Sequence, residues 1–199
     1  MVKLGRFLIN FYITHAVLII GVLSCEKERR EINVIPFRSI NIPNAAVTKQ
    51  QDRLYFKGEL YSGWAFGLYE EGDTSFRTSF FEGKEQGKSE TWYLNGQRME
   101  IRHFDHGKKT GRHYGWWENG KKKFEMNYHA DMFEGNQKEW NEQGILFKDC
   151  NYKDGHESGA QKYWRPDGTL YANYVVRNGR NYGLTGVKNC SNVGDSISK

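Results

Sequence analysis

The chain has 199 residues, with 29 Lys and Arg against 24 Asp and Glu, and a formal net charge of +5. Two of the basic residues, Lys3 and Arg6, lie in an N-terminal leader, so the remaining positive excess is too mild to indicate a nucleic-acid partner. Only 38% of the residues are hydrophobic while 15% are aromatic. This composition predicts a thin fold held together by large aromatic side chains and excludes a thick core.

The first 25 residues have the order of a secretory leader. Met1–Arg6 is basic without an acid, and residues 7–23 are mostly apolar. The run Val22-Leu23-Ser24-Cys25 resembles the bacterial lipobox, whose cysteine is diacylated and becomes the first mature residue. We predict a lipoprotein signal peptide at 1–24, a membrane anchor at Cys25, and a place in the bacterial cell envelope, at the periplasmic or surface face of the outer membrane. The alternative is an uncleaved transmembrane anchor, because the apolar run approaches spanning length.

Residues 25–53 are predicted to form a tether. Its candidate strand is Ile32–Phe37, and Pro36 and Pro43 argue against a helix there. The repeats follow at 54–183, and residues 184–199 form a polar C-terminal tail.

Columns of identical residue types recur through the repeats at a step of 24 positions. A repeat of this kind determines the fold before any single residue is considered. The tryptophan column is Trp92, Trp116, Trp140 and Trp164. The main glycine columns are Gly63, Gly87, Gly111, Gly135, Gly159 and Gly183, and Gly72, Gly96, Gly120, Gly144 and Gly168. A second aromatic column is Phe80, Phe104, Tyr128 and Tyr152, and it ends with Val176.

Each unit has the composition of a β-hairpin. A short aromatic-bearing run meets a pair such as Asn95-Gly96, which accepts the positive φ that two-residue hairpin turns require. A Gly-x-x-x-Gly connector such as Gly107–Gly111 joins one unit to the next. We predict an all-β fold, an elongated single-layer antiparallel β-meander of 24-residue hairpin repeats. Whether the two aromatic columns share a face stays open, because two-residue and bulged three-residue loops give opposite parities.

Two segments, Trp92-Tyr93-Leu94-Asn95-Gly96 and Trp116-Trp117-Glu118-Asn119-Gly120, resemble the MORN repeat in its bacterial variant. The resemblance covers residues 54–183. The third unit departs from it, with Asp131 in place of glycine and Gln143 before Gly144, so a bulged connector is expected there. The resemblance implies the YwqK-type antitoxin component family, and with it a protein partner of the toxin–antitoxin kind and no catalysis.

No constellation of residues predicts an enzyme, a cofactor or a metal site. Gly107–Gly111 lacks the upstream glycine of a P-loop and precedes no helix, so we interpret it as a turn. His103, His106 and His113 lie close in sequence, but a strand and a turn do not force their side chains to converge. Solvated surface histidines are therefore expected.

The candidate binding surface is formed by Trp92, Trp116, Trp140, Trp164, Lys121, Lys122 and Lys123. Recognition of a partner protein is the first hypothesis, since exposed aromatic residues are enriched at interfaces. Binding of glycan or anionic lipid head groups through the same residues is the alternative. The inner tryptophans, Trp116 and Trp140, are expected to hold the sheet, and Trp92 and Trp164 to make contacts. A disulfide between Cys150 and Cys190 is left open.

Overall fold

The computed structural model describes residues 34–186 of the chain. These residues form seventeen β-strands and no helix, so no helix in this part of the chain could span a membrane. The strands are β1 (Ser39–Ile42), β2 (Val47–Gln50), β3 (Arg53–Phe56), β4 (Glu59–Leu60), β5 (Gly63–Leu68), β6 (Thr74–Phe81), β7 (Lys84–Trp92), β8 (Arg98–Asp105), β9 (Lys108–Lys109), β10 (Gly111–Trp116), β11 (Lys122–His129), β12 (Met132–Phe133), β13 (Gly135–Trp140), β14 (Leu146–Lys153), β15 (His156–Trp164), β16 (Leu170–Arg177) and β17 (Arg180–Leu184).

One sheet contains 14 of these strands, in the order β1-β5-β6-β7-β8-β10-β11-β13-β14-β15-β16-β17, with the short β9 and β12 paired beside β8 and β11. From β5 onward, each strand in this order pairs antiparallel with the next one. The predicted all-β meander is confirmed. β1 is the exception, because it pairs parallel with β5. The chain between them is long enough for the crossover that a parallel pair needs.

A second sheet of three strands, β2-β3-β4, adds a layer at the β5 end of the long sheet. Leu54 and Tyr61 from this region pack with Ile40 and Ala65 in the buried core, where Tyr61 is 1% exposed. The expected single layer is therefore doubled at this end. The added layer covers the first repeat, as capping elements do in solenoid proteins.

The tether predicted at 25–53 contains two strands, β1 and β2, within the described residues. No strand forms at residues 34–37, and the strand of this segment begins at Ser39. The physical reason is that Pro36 has no N–H to give to a ladder, while Ile40 supplies the side chain that enters the core. Cys25 and the leader lie outside the described residues, as do 187–199 of the tail.

The Asn-Gly pairs do not form the two-residue turns that their composition predicts. In the loop 117–121, the N–H of Gly120 donates to Trp117 O at 2.8 Å and the N–H of Trp117 donates to Lys121 O at 2.8 Å. Gly120 has a φ of 81°, while Asn119 keeps a negative φ. This is a three-residue loop with a bulge at glycine, which needs one left-handed residue where a type I′ turn needs two.

The two-residue turns with two left-handed residues occur in the connectors. His106 and Gly107 have φ of 51° and 83° and join the paired residues Asp105 and Lys108. Ala130 and Asp131 take the same conformation, with φ of 47° and 71°. The connector at Asp131 is therefore a regular turn, and the expected bulge is absent from it. The Asp131 carboxylate accepts a hydrogen bond from the Lys109 N–H at 2.8 Å, which favours Asp at a position that is otherwise glycine.

The loop geometry makes Gly120 the sensitive position of its hairpin. Gly120→Val should lower the free energy of unfolding by more than about 1 kcal/mol, because a β-branched residue resists positive φ. A side chain has room there, since a Cβ would lie 3.6 Å from Gln97. Gly120→Asn is the matched control and should cost less, because Asn tolerates the left-handed region. Urea denaturation measures both variants, and a Val variant as stable as the wild type would show that the loop is assigned wrongly.

Candidate interaction surface

The four tryptophans of the repeat lie in equivalent places on one side of the sheet, here named the tryptophan face. Each one stands at the end of its strand, directly after a register shift. Trp116 stacks on Tyr114 with ring centroids 6.2 Å apart. All four tryptophans are half-buried, so burial does not separate the inner pair from the outer pair as expected. Part of the ring is exposed to solvent in each of Trp92, Trp116, Trp140 and Trp164.

The second aromatic column lies on the other side, here named the aromatic face. His113 and Tyr114 are successive residues of β10 and point to opposite sides of the sheet. The His113 ring is 4.6 Å from the Tyr128 ring, whereas Tyr114 stacks on Trp116. Phe133 extends this column, because its ring lies between those of Tyr128 and Tyr152, with centroids 4.9 Å and 5.2 Å away. The two aromatic columns therefore occupy opposite faces.

Hydrogen bonds between successive units fix the backbone that carries the tryptophans. The hydroxyl of Tyr69 donates to Trp92 O at 2.6 Å, and that of Tyr93 donates to Trp116 O at 3.0 Å. The indole N–H of Trp117 repeats the contact with Trp140 O at 3.0 Å. Since each bond joins one hairpin to the next, these three side chains align the backbone of Trp92, Trp116 and Trp140. This role was not predicted from the sequence, although Tyr69, Tyr93 and Trp117 recur at the step of 24 residues and could have indicated it.

The three lysines of the candidate surface do not converge on one ligand position. Lys121 Nζ donates to Gln143 O at 2.9 Å. Lys122 pairs with Glu125 and lies 5.5 Å from the centre of the Trp140 ring. Lys123 lies 4.5 Å from the Trp117 ring. Each ammonium group already has a protein partner, so the cluster is a set of separate contacts.

Two shallow grooves border the tryptophan face. One, of about 280 Å³, is lined by Trp64 and Phe66, and the Arg77 guanidinium lies 4.1 Å from the Trp64 ring. The other, of about 390 Å³, is lined by Arg112, Tyr114 and other residues of β10 and β11. Trp64 falls outside the tryptophan column, so periodicity gave no signal for it. The grooves combine aromatic walls with cations, which suits contact with a partner surface.

Polar side chains fill a buried row behind the tryptophans. His113, Gln137 and Gln161 occupy the same repeat position and are 2%, 1% and 0% exposed. Gln137 accepts from the Asn127 N–H at 3.0 Å and donates to Asn127 O at 2.9 Å. β11 and β13 pair at only two positions, which leaves the Asn127 backbone without a ladder partner from β13. The glutamine amide therefore takes the place of missing ladder bonds.

His113 occupies the equivalent place with a titratable ring, whose Nε2 either accepts from the His103 N–H or donates to the His103 O, depending on the tautomer. Its Nε2 lies 3.2 Å from the His103 N and 2.9 Å from the His103 O. Burial lowers the pKa of His113, and the backbone hydrogen bonds partly oppose this. The expectation that the histidines are all on the surface is wrong for His113, because its repeat position lies behind the aromatic rings. Within residues 34–186, no group of His, Cys, Asp and Glu is arranged to hold a metal ion.

The sheet also buries a cysteine, close to a half-buried carboxylate and two tyrosines. Cys150 is 0% exposed and has no disulfide partner within residues 34–186, while Cys190 lies outside them; burial raises the pKa of the Cys150 thiol. A raised pKa keeps the sulfur protonated and a weak nucleophile. The hydroxyls of Tyr163 and Tyr174 donate to Glu157 at 3.2 Å and 2.9 Å. The pKa of Tyr174 is raised to about 12, mainly by burial and next by the hydrogen bond to Glu157. We therefore interpret this cluster as part of the packing.

Comparison with known proteins gives no family for the chain. No family model matches it, and no curated protein matches it either.

The buried His113 predicts acid sensitivity. Because its folded-state pKa lies below the unfolded value of about 6.5, the unfolded chain binds the proton first. Stability is therefore full above about pH 6.5 and falls as the pH drops toward the folded pKa. His113→Gln should keep the bridge, as Gln137 does, and should reduce this fall. His113→Ala, which has no bridge, should be destabilised at every pH. Urea denaturation between neutral and acid pH gives the comparison, and an unchanged pH dependence in the Gln variant would exclude His113 as the source.

Proposed function

We propose that the protein is a non-catalytic, lipid-anchored envelope protein that presents its tryptophan face to a partner protein. The observation that supports this most is the row of four half-exposed tryptophans in register along one side of the sheet. Partly exposed aromatic rings on a rigid scaffold offer large contact area at little entropic cost. The hydrogen bonds between successive units fix the backbone of Trp92, Trp116 and Trp140 in equivalent positions.

The chemistry of the buried groups supports a binding role over catalysis. Catalytic groups need pKa values tuned toward neutrality in an accessible pocket. Cys150 and Tyr163 instead have raised pKa values because of burial. Burial lowers the pKa of His113, and its Nε2 is in contact with the His103 backbone.

The nature of the partner follows from the sequence. The resemblance to MORN-type antitoxin components makes a toxin-like protein the first partner class to test, in an immunity-like role. The predicted acylation of Cys25 places the domain at a membrane, so the partner would be met in the envelope.

A second candidate function is binding of glycan or anionic lipid head groups. The contacts of Arg77 with Trp64 and of Lys122 with Trp140 favour it, because they place cations beside aromatic rings. Against it, Lys121 and Lys122 are engaged within the protein. We therefore place it second.

Single alanine replacements of the four tryptophans test the proposal. Half-buried rings should cost about 1.5–2.5 kcal/mol, roughly half the value for buried aromatics, and each variant should stay folded. We expect at least one variant to lose a partner that the wild type retains from envelope extracts in stoichiometric amount. Tyr128→Ala on the aromatic face is the control and should keep the partner.

Three results of that experiment decide between the functions. Loss confined to tryptophan variants supports the proposal. Retention by all four, or loss confined to Tyr128→Ala, contradicts it. Absence of any protein partner, together with binding of the wild type to vesicles containing anionic lipid or to glycan, would favour the second function.

A further inference from the structure

Among the strands of residues 34–186, the last one, β17, is paired along one edge and has no partner strand along the other. Its five residues are exposed, and within residues 34–186 it pairs on one side, with β16. The glycine column places β17 at the same repeat position as β5, β7, β10, β13 and β15. Each of those strands also pairs with the strand that completes its hairpin. A glycine of that strand then faces an aromatic residue or a valine in the pairs Gly63–Phe80, Gly87–Phe104, Gly111–Tyr128, Gly135–Tyr152 and Gly159–Val176. Gly183, the equivalent residue, faces Tyr174 of β16 on one side and has no described strand on the other.

The hydrogen-bonding groups on this edge can be assigned from the turn. Arg177 and Arg180 flank the two-residue turn at Asn178 and Gly179 and form its closing pair. Since bonded and non-bonded pairs alternate in an antiparallel ladder, Arg180, Tyr182 and Leu184 direct their backbone groups toward β16. Asn181 and Gly183 direct theirs outward. The outward N–H and C=O groups of Asn181 and Gly183 match the backbone of an extended strand.

Side chains around the edge show what kind of strand would fit. Tyr182 and Leu184 are both 56% exposed, and Tyr171, which is 37% exposed, lies close to Gly186 just after β17. Arg177 and Arg180 add positive charge at the turn end of the edge. A matching strand would therefore carry apolar side chains and an acidic residue near Arg180.

The opposite edge of the sheet is protected. β1 is four residues long and lies between Pro36 and Pro43, residues that cannot donate to a ladder. The short strand β1 also packs its Ile40 into the core beneath the second sheet. The two ends of the array thus differ, and β17 is the end with the features of an acceptor edge.

We propose that β17 binds an extended antiparallel strand of the partner protein, with a large apolar side chain opposite Gly183. This inference rests on the proposed function, because it names how a protein partner attaches. The incoming strand would complete the unfinished hairpin and would place its apolar residue where Phe104 stands opposite Gly87. Addition of a strand to a sheet edge is a general mode of peptide recognition.

A synthetic peptide tests the edge directly. The probe is a fluorescein-labelled peptide with the sequence of β8, residues 98–105, which offers Phe104 for Gly183 and Asp105 on the side of Arg180. We expect saturable binding to the full-length chain in mild detergent. Methylation of the peptide nitrogen of Phe104, which would face β17, should weaken binding roughly tenfold or more, as expected for the loss of about 1.4 kcal/mol. Methylation at His103, which faces away, is the matched control and should change affinity by less than about twofold.

A pair of protein variants separates this site from others. Asn181→Pro removes an outward N–H and is compatible with an edge strand, so it should abolish peptide binding while circular dichroism stays unchanged. Asn181→Ala keeps the N–H and should bind as the wild type does. Equal effects of the two methylated peptides, or full binding by Asn181→Pro, would overturn the inference.

Other occupants of the edge give distinct results. Hydrogen exchange that shows Asn181 and Gly183 protected without peptide would mean that the edge is already filled. Release of that protection on truncation after Gly186 would assign the edge to the chain's own tail, and release on dilution would assign it to a second copy. Either result overturns the inference. If a protein partner binds through the tryptophans while Asn181→Pro has no effect, the proposed function stands and this inference fails.

Discussion

Every backbone N–H and C=O in a thin sheet must find a partner, because few neighbouring layers can supply one. The repeat meets this constraint with side chains as well as with ladders. Where β11 and β13 separate near the connector, Gln137 bonds both the N–H and the O of Asn127. Gln161 donates to Asn151 O at 2.7 Å in the next unit. A buried donor or acceptor without a partner costs about 1–3 kcal/mol, so these amides determine whether successive hairpins can stay joined.

The same constraint separates the two faces of the sheet. Bridging side chains and the rings of Phe104, Tyr128 and Tyr152 belong to the aromatic face, which carries much of the packing. The tryptophan face is stabilised through its backbone, by bonds such as that from Tyr93 to Trp116 O. Its rings therefore remain half-exposed without leaving a backbone group unpaired. This division of roles is why we attribute recognition to the tryptophans.

The period of 24 residues was sufficient to predict hairpins and an antiparallel meander, because a repeat of that length holds two strands and two turns. The period did not predict which turns are two-residue turns and which are three-residue bulged loops. Asn-Gly suits both a two-residue turn and a bulged loop, and the choice depends on hydrogen bonds such as that of Gly120 with Trp117. That choice also determines which face each aromatic column occupies, so the faces could not be assigned beforehand.

Other features depended on contacts between distant segments. His113 and Gln137 look like surface residues in sequence, and their burial follows from strands that separate at the connectors. β1 pairs parallel with β5 because Ile40 enters a core built by residues far along the chain. The tryptophan row, by contrast, was visible in the sequence as a candidate surface, and its half-buried state is what the structure adds.

The bridging amide is the central claim, and the free energy of unfolding of Gln137→Leu tests it most directly. Leucine has a similar volume but leaves the Asn127 N–H and O unpaired, so we expect a loss of more than about 2 kcal/mol in urea denaturation. Gln161→Leu is the internal comparison, because within the described residues Gln161 Oε1 has no partner and only the donor side is lost. The loss at Gln137 should exceed the loss at Gln161. A Gln137→Leu variant as stable as the wild type, or one destabilised less than Gln161→Leu, would contradict the account.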